Sequence, residues 1–172
     1  MRKLLLDVAD LKVYYPTRYR PKNKLFSQKM FVKAVDGISF QVHEGETFGL
    51  VGESGCGKST TGHTLVRLLR PFAGSVQYEG EDIFCAQSGS KDWSGRIQII
   101  FQDPYSSLDP CYTVGKCIAE PMRVHKQGTA EERHERVLKL MDDVGLPPES
   151  YTKYPHEFSG GQRQRIGVAR AL

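Results

Sequence analysis

Long apolar runs are missing from this chain, where stretches such as Ile99-Ile100-Phe101 fall far short of the roughly 20 consecutive residues that a membrane-spanning helix needs. No span is expected. Cysteine is scarce: four residues, at 56, 85, 111 and 117, show neither paired CxxC spacing nor histidine-rich surroundings. That argues against a zinc site or a disulfide framework and predicts reduced thiols. A secretory leader is not expected either, because Asp7 and Asp10 interrupt the apolar opening after Leu4-Leu5-Leu6. The expected place is the cytosol. What remains, 172 residues with 39% apolar and 26% charged, suits a globular domain and excludes disordered and fibrous classes.

Acids are absent from one stretch. Between Leu11 and Val35 stand seven basic residues, Lys12, Arg18, Arg20, Lys22, Lys24, Lys29 and Lys33, without a single Asp or Glu, although the net charge is only +4. The basic character belongs to that segment. Interleaved with Tyr19, Phe26 and Phe31, it would suit nucleic acid or anionic lipid headgroups. A solvated hairpin or loop explains the same residues, and charge runs are more often exposed faces.

The first third reads as strands. Leu4–Val8 and Leu11–Tyr15 are short apolar runs, and 35–42 alternates through Val35, Ile38, Phe40 and Val42 before a turn at 43–46. Thr47–Val51 has the pattern of a buried strand, and Lys58–Leu69 that of a helix stopped by Pro71. Gly74–Phe84 reads as strand and turn, and Arg96–Phe101 as a short β-rich run. From Thr113 the pattern turns helical. Thr129-Ala130-Glu131-Glu132 is a capping box, Val137, Leu138, Met141 and Val144 form a stripe, and Gly145 and Pro147 end a helix over 130–144. Ser159-Gly160-Gly161-Gln162 repeats the capping spacing, with Ile166 and Ala169 on one face of the helix that follows. That helix has no stop signal before Leu172, so a truncated chain is expected.

One motif carries chemistry by itself. Gly52-Glu53-Ser54-Gly55-Cys56-Gly57-Lys58-Ser59-Thr60 satisfies G-x-x-x-x-G-K-[ST], between an expected strand and an expected helix. Glycines let successive N–H groups curl inward around a polyphosphate, and the new helix adds its positive end. Lys58 would neutralise the β and γ phosphates, Ser59 would offer its hydroxyl to Mg²⁺, and Thr60 would add a phosphate contact. Gln102, in Phe101-Gln102-Asp103-Pro104, follows an apolar run where a carboxamide would hold a metal-bound or attacking water, although such a residue is more often part of an ordinary turn. Ser159, Gly160, Gly161 and Gln162 at a helix start form a second anion-binding design, equally readable as a plain cap.

Together the three segments resemble the ATP-binding cassette (ABC) ATPases: Gly52–Thr60 is similar to the Walker A motif, Gln102 to the Q-loop, and Ser159–Gln162 to the signature motif. The resemblance covers nearly the whole chain. More narrowly, 32–37, 101–110 and 154–158 resemble the ATP-binding subunits of bacterial dipeptide and oligopeptide importers. The fold so implied is α/β, a P-loop NTPase core with an N-terminal antiparallel β subdomain and a helical subdomain, the C-terminal part of the core missing. Residues 1–104 would hold the β subdomain and the Walker A and Q-loop core, 105–158 the helical subdomain, and 159–172 the signature helix.

The resemblance also implies roles. Tyr15, with Tyr14 as the alternative, would stack on adenine; Gln102 would ligand Mg²⁺ and sense the membrane subunit. Ser159, Gly160 and Gly161 would contact the γ-phosphate held by a second ABC subunit, so that ATP is sandwiched between two chains. Transmembrane permease subunits, and indirectly a peptide-binding protein, would be the other partners, on the inner face of the cell membrane. The family's Walker B Asp-Glu pair, D-loop and switch histidine find no match. Leu138–Asp143 fails as a Walker B strand because it precedes the signature and follows helical periodicity. None of His43, His63, His125, His134 and His156 falls where the switch histidine would stand. Weak nucleotide binding and negligible turnover are therefore expected of these 172 residues. A rival reading, an ABC ATPase of nucleic-acid maintenance or translation, would draw on the basic segment 11–35.

Overall fold

The computed structural model describes residues 2–17, 30–85 and 93–172, which fall into two units, Met1–Ile97 and Gln98–Leu172. The first unit is built on a sheet. β1 (Leu4–Pro16) and β2 (Phe31–His43) pair antiparallel, followed by β3 (Ala73–Tyr78) and β4 (Glu81–Asp82), in the order β2-β1-β3-β4.

The two short strands expected within 4–15 are one strand with a bulge. Asp10 takes a left-handed φ of 48°, its N–H donates to Ser39 Oγ at 2.9 Å, and the register against both neighbours slips there. Gly74 passes so close that a Cβ would sit 2.3 Å from the Asp10 carbonyl oxygen. Between β3 and β4, Glu79 and Gly80 both have positive φ, 51° and 81°, the backbone of a two-residue hairpin turn. Val8, Leu11, Val13, Val35, Val76, Ile83 and Trp93 form the core of this unit.

Three expectations are corrected. Thr47–Val51 joins no strand ladder among the described residues, and Val51 is 93% exposed. An apolar run becomes a strand only where neighbouring strands satisfy its backbone, and this segment is held instead by Phe48 stacking on Phe40, with ring centroids 4.8 Å apart. Residues 96–101 likewise join no described ladder. The third correction concerns α1 (Lys58–Leu65), which ends four residues before Leu69 because Arg67 turns left-handed and the N–H groups of Leu68 and Leu69 both donate to His63 O.

Of the basic stretch, Arg18, Tyr19, Arg20, Lys22, Lys24, Phe26 and Lys29 lie outside the described residues. Lys12 and Lys33 pair with Asp10 and Asp36 at 2.8 and 3.0 Å.

The second unit is helical: α2 (Val114–Val124), α3 (Ala130–Asp143) and α4 (Gly160–Ala171). Leu108, Val114, Ile118, Val137, Met141, Phe158 and Ile166 fill its core, with Cys117 and Ala169 among them. α3 starts at the expected capping box, where Thr129 N–H donates to Glu132 Oε2 at 2.7 Å and Glu132 N–H to Thr129 Oγ1 at 3.2 Å. It stops at Gly145, φ 69°. Leu138–Asp143 is thus helical, with Asp142 and Asp143 exposed. Gly115 lies close against the Tyr151 ring: a Cβ there would come within 2.5 Å of it.

Candidate functional site

The phosphate-loop motif is a curled turn closed by its own lysine. Gly55 and Gly57 take φ of 82° and 98°, values that side-chain-bearing residues rarely adopt. Lys58 Nζ donates to the carbonyl oxygens of Gly52 and Glu53 at 2.8 and 2.7 Å and lies 3.6 Å from Cys56 Sγ. A Cβ on Gly52 would sit 2.7 Å from that sulfur, so a side chain there would have to turn the Cys56 thiol aside. Ser54, Cys56 and Ser59 are exposed, while Lys58 and Thr60 are half-buried. Thr60 also accepts from Thr64 Oγ1 through its carbonyl, at 2.8 Å.

α1 starts at Gly57, which has no side chain to cap the N–H groups of its first turn. Those groups, the ammonium of Lys58 and the hydroxyls of Ser59 and Thr60 are donors and hard oxygen ligands gathered at one helix end, a set that fits a magnesium-bound triphosphate. A groove of about 580 Å³ adjoins it, lined by Phe40, Phe48, Leu50, Leu65, Lys58 and Ser59.

The loop leans on β2. A Cβ on Gly57 would lie 2.3 Å from the Ala34 carbonyl oxygen and 3.2 Å from Val35 Cγ2. Val35 pairs with Val13, so both share the sheet face on which the loop rests. By strand alternation Tyr15 belongs to that face, two residues beyond Val13, and it is 40% exposed. Tyr14 belongs to the other face. There its ring stacks on Phe72 at 4.5 Å and its hydroxyl donates to Asp36. This bond raises the Tyr14 pKa, and with the bond from Lys33 it lowers that of Asp36.

Gln102 is exposed in the second unit, at the head of a segment ordered by Asp103, whose carboxylate accepts from Tyr105 N–H at 2.9 Å. That bond, followed by one from Ser106, holds the Asp103 pKa below its ordinary value. Ser159 caps α4: Ser159 N–H donates to Gln162 Oε1 at 3.0 Å and Gln162 N–H to Ser159 Oγ at 3.4 Å. Arg163 braces this end, with Nε donating to Pro155 O at 2.7 Å and the guanidinium 4.0 Å over the Tyr105 ring. Gly161 has no atom of the described residues within 4 Å of a Cβ, and Gly160 faces the Tyr105 ring at 3.8 Å.

Comparison with known proteins decides the family, because the family model described as ABC transporter matches residues 35–172. The chain belongs to the ABC transporter family. Relatives of this ABC chain include the oligopeptide transport ATP-binding protein AppF of Bacillus subtilis (strain 168), 48% identical over 99% of this chain and 52% of its own length. The dipeptide transport ATP-binding protein DppF of Escherichia coli (strain K12) is 43% identical over 100% of this chain and 51% of its own. The chain thus spans about half the length of these relatives. An ATP-binding cassette solved as a post-hydrolysis dimer bound to ADP and Pi superposes with a TM-score of 0.77 at 24% identity, covering 98% of this chain and 69% of that one. The fold is therefore that of an ABC ATPase cassette, α/β with an antiparallel sheet.

Sequence reasoning about this ABC chain missed the support behind its loop. Ala34 and Asp36 entered only through the resemblance of 32–37, with no role of their own, and the slip in register that brings Ala34 to Gly57 has no pattern of residue types to announce it.

Proposed function

We propose that the chain is the nucleotide-binding part of an ATP-driven importer of peptides, working as one of two ABC subunits on the inner face of a membrane beneath permease subunits. The observation that carries this reading is the glycine loop with Lys58 at an uncapped helix start, on the face that also carries Tyr15. The names of the relatives, oligopeptide and dipeptide transport ATP-binding proteins, supply the cargo class and favour transport over nucleic-acid maintenance.

In this reading Gly52, Ser54, Gly55, Cys56 and Gly57 present backbone N–H groups to the β and γ phosphates, and Lys58 and Thr60 add an ammonium and a hydroxyl. Magnesium, when bound, neutralises phosphate charge, and Ser59 and Gln102 are the side chains that would hold it. Tyr15 stacks on the base. Ser159, Gly160, Gly161 and Gln162 meet the γ-phosphate carried by the second ABC subunit, so nucleotide joins the two and its loss releases them. Residues 105–158 face the permease.

The test is calorimetry of the folded 172-residue chain with magnesium and a non-hydrolysable ATP analogue. Saturable heat is expected, and its loss in Lys58→Ala. No heat from folded protein overturns the reading.

A further inference from the structure

β2 carries a bulge where it meets the phosphate loop. Val13 pairs with Val35 and Tyr14 with Lys33, so Ala34 is the extra residue, and its carbonyl oxygen is the atom against which Gly57 rests. Bulges bend a strand and loosen its ladder, so this support needs its own fastening. One carboxylate provides it. Asp36 Oδ2 accepts from Lys33 Nζ at 3.0 Å, an ion pair that spans the bulge, while Asp36 Oδ1 accepts from the Tyr14 hydroxyl of the facing strand. The Tyr14 ring is fixed in turn by Phe72 at 4.5 Å, and Lys33 Nζ lies 5.5 Å from its centroid.

We propose that Asp36 is a positioning residue for nucleotide: by clamping Lys33 and Tyr14 around the Ala34 bulge, it sets the placement of the β1 end that bears Tyr15 against the phosphate loop. The inference rests on the proposed binding of ATP. A nucleotide must reach both places at once, its phosphates on the loop and its base at Tyr15. The curl of the loop itself depends on Gly55, Gly57 and the Lys58 bonds, none of which involves Asp36. The clamp therefore matters to a ligand that has a base and not to one that is phosphate alone.

The 172-residue chain and its Asp36→Asn variant are titrated, with magnesium, against a non-hydrolysable ATP analogue and against inorganic tripolyphosphate. Asparagine keeps an acceptor for Tyr14 and removes the charge that holds Lys33. The variant is expected to bind the ATP analogue about three- to fivefold more weakly, the scale of one lost hydrogen bond, with tripolyphosphate affinity unchanged. Equal affinities for the analogue in both proteins overturn the inference. So does a parallel loss for both ligands, which is what a merely structural role would produce. Should Asp36→Asn fail to fold, Tyr14→Phe removes the same clamp at its other end and is read by the same pair of ligands. A wild-type chain that binds neither ligand overturns the proposed function and this inference with it, whereas wild-type binding with an indifferent variant removes the inference alone.

Discussion

Lys58 Nζ donates to the carbonyl oxygen of Gly52 at 2.8 Å, so the one ammonium inside the phosphate loop is held by the loop's own backbone. A triphosphate would take over that ammonium, exchanging neutral carbonyl acceptors for charged oxygens, which make bonds roughly twice as strong. Lys58→Ala is expected to weaken the binding of a magnesium–ATP analogue by about tenfold or more, the range for bonds to charged groups. Lys58→Arg restores little, because a planar guanidinium does not replace a compact ammonium in so tight a turn. Titration calorimetry on the three proteins checks both statements.

Gly57→Ala tests the fit between loop and strand. The substitution forces a side chain onto φ 98° and drives a methyl to within 2.3 Å of the Ala34 carbonyl oxygen. A loss of about 1–3 kcal/mol in unfolding free energy is expected from the backbone strain alone, together with loss of nucleotide binding. Urea unfolding of the variant at wild-type stability would show that the loop does not rest on β2.

Cys117 is buried among the helices of the second unit, and burial pushes its thiol from the ordinary 9.0 up to about 11. The folded protein therefore keeps a proton that the unfolded chain releases. Stability is unaffected below pH 9 and is expected to fall as pH climbs from about 9 towards about 11. At pH 8, iodoacetamide should label the exposed Cys56, Cys85 and Cys111 and spare Cys117. Mass spectrometry of the labelled native protein reads the pattern, and rapid labelling of Cys117 would contradict its burial.

Beyond Gln162 the 172-residue chain contains no acidic residue. Without a carboxylate there to help hold metal and polarise water, the chain is expected to bind ATP without turning it over. Phosphate release by the purified protein, abolished by Lys58→Ala, would falsify this expectation.

Local rules recovered the parts of the molecule that local forces build. The capping box at Thr129 and the stop at Gly145 bracket α3 almost to the residue, because both signals act within one helical turn. The glycine pattern likewise marked a curled loop. Strand assignment failed where pairing decides the outcome: Thr47–Val51 and Ile99–Phe101 are apolar enough, yet no described ladder takes them up. The Asp10 and Ala34 bulges escaped for a related reason, since register is a property of two strands and neither shows it alone. The faces of Tyr14 and Tyr15 are likewise a property of the sheet. Only the pairing of Val13 with Val35, and the contact of Val35 with Gly57, says which tyrosine shares a face with the loop.

The seat of Gly115 against Tyr151 leaves no room for even a methyl group, so an alanine at 115 would have to displace the ring or push α2 away from the turn at Pro148–Thr152.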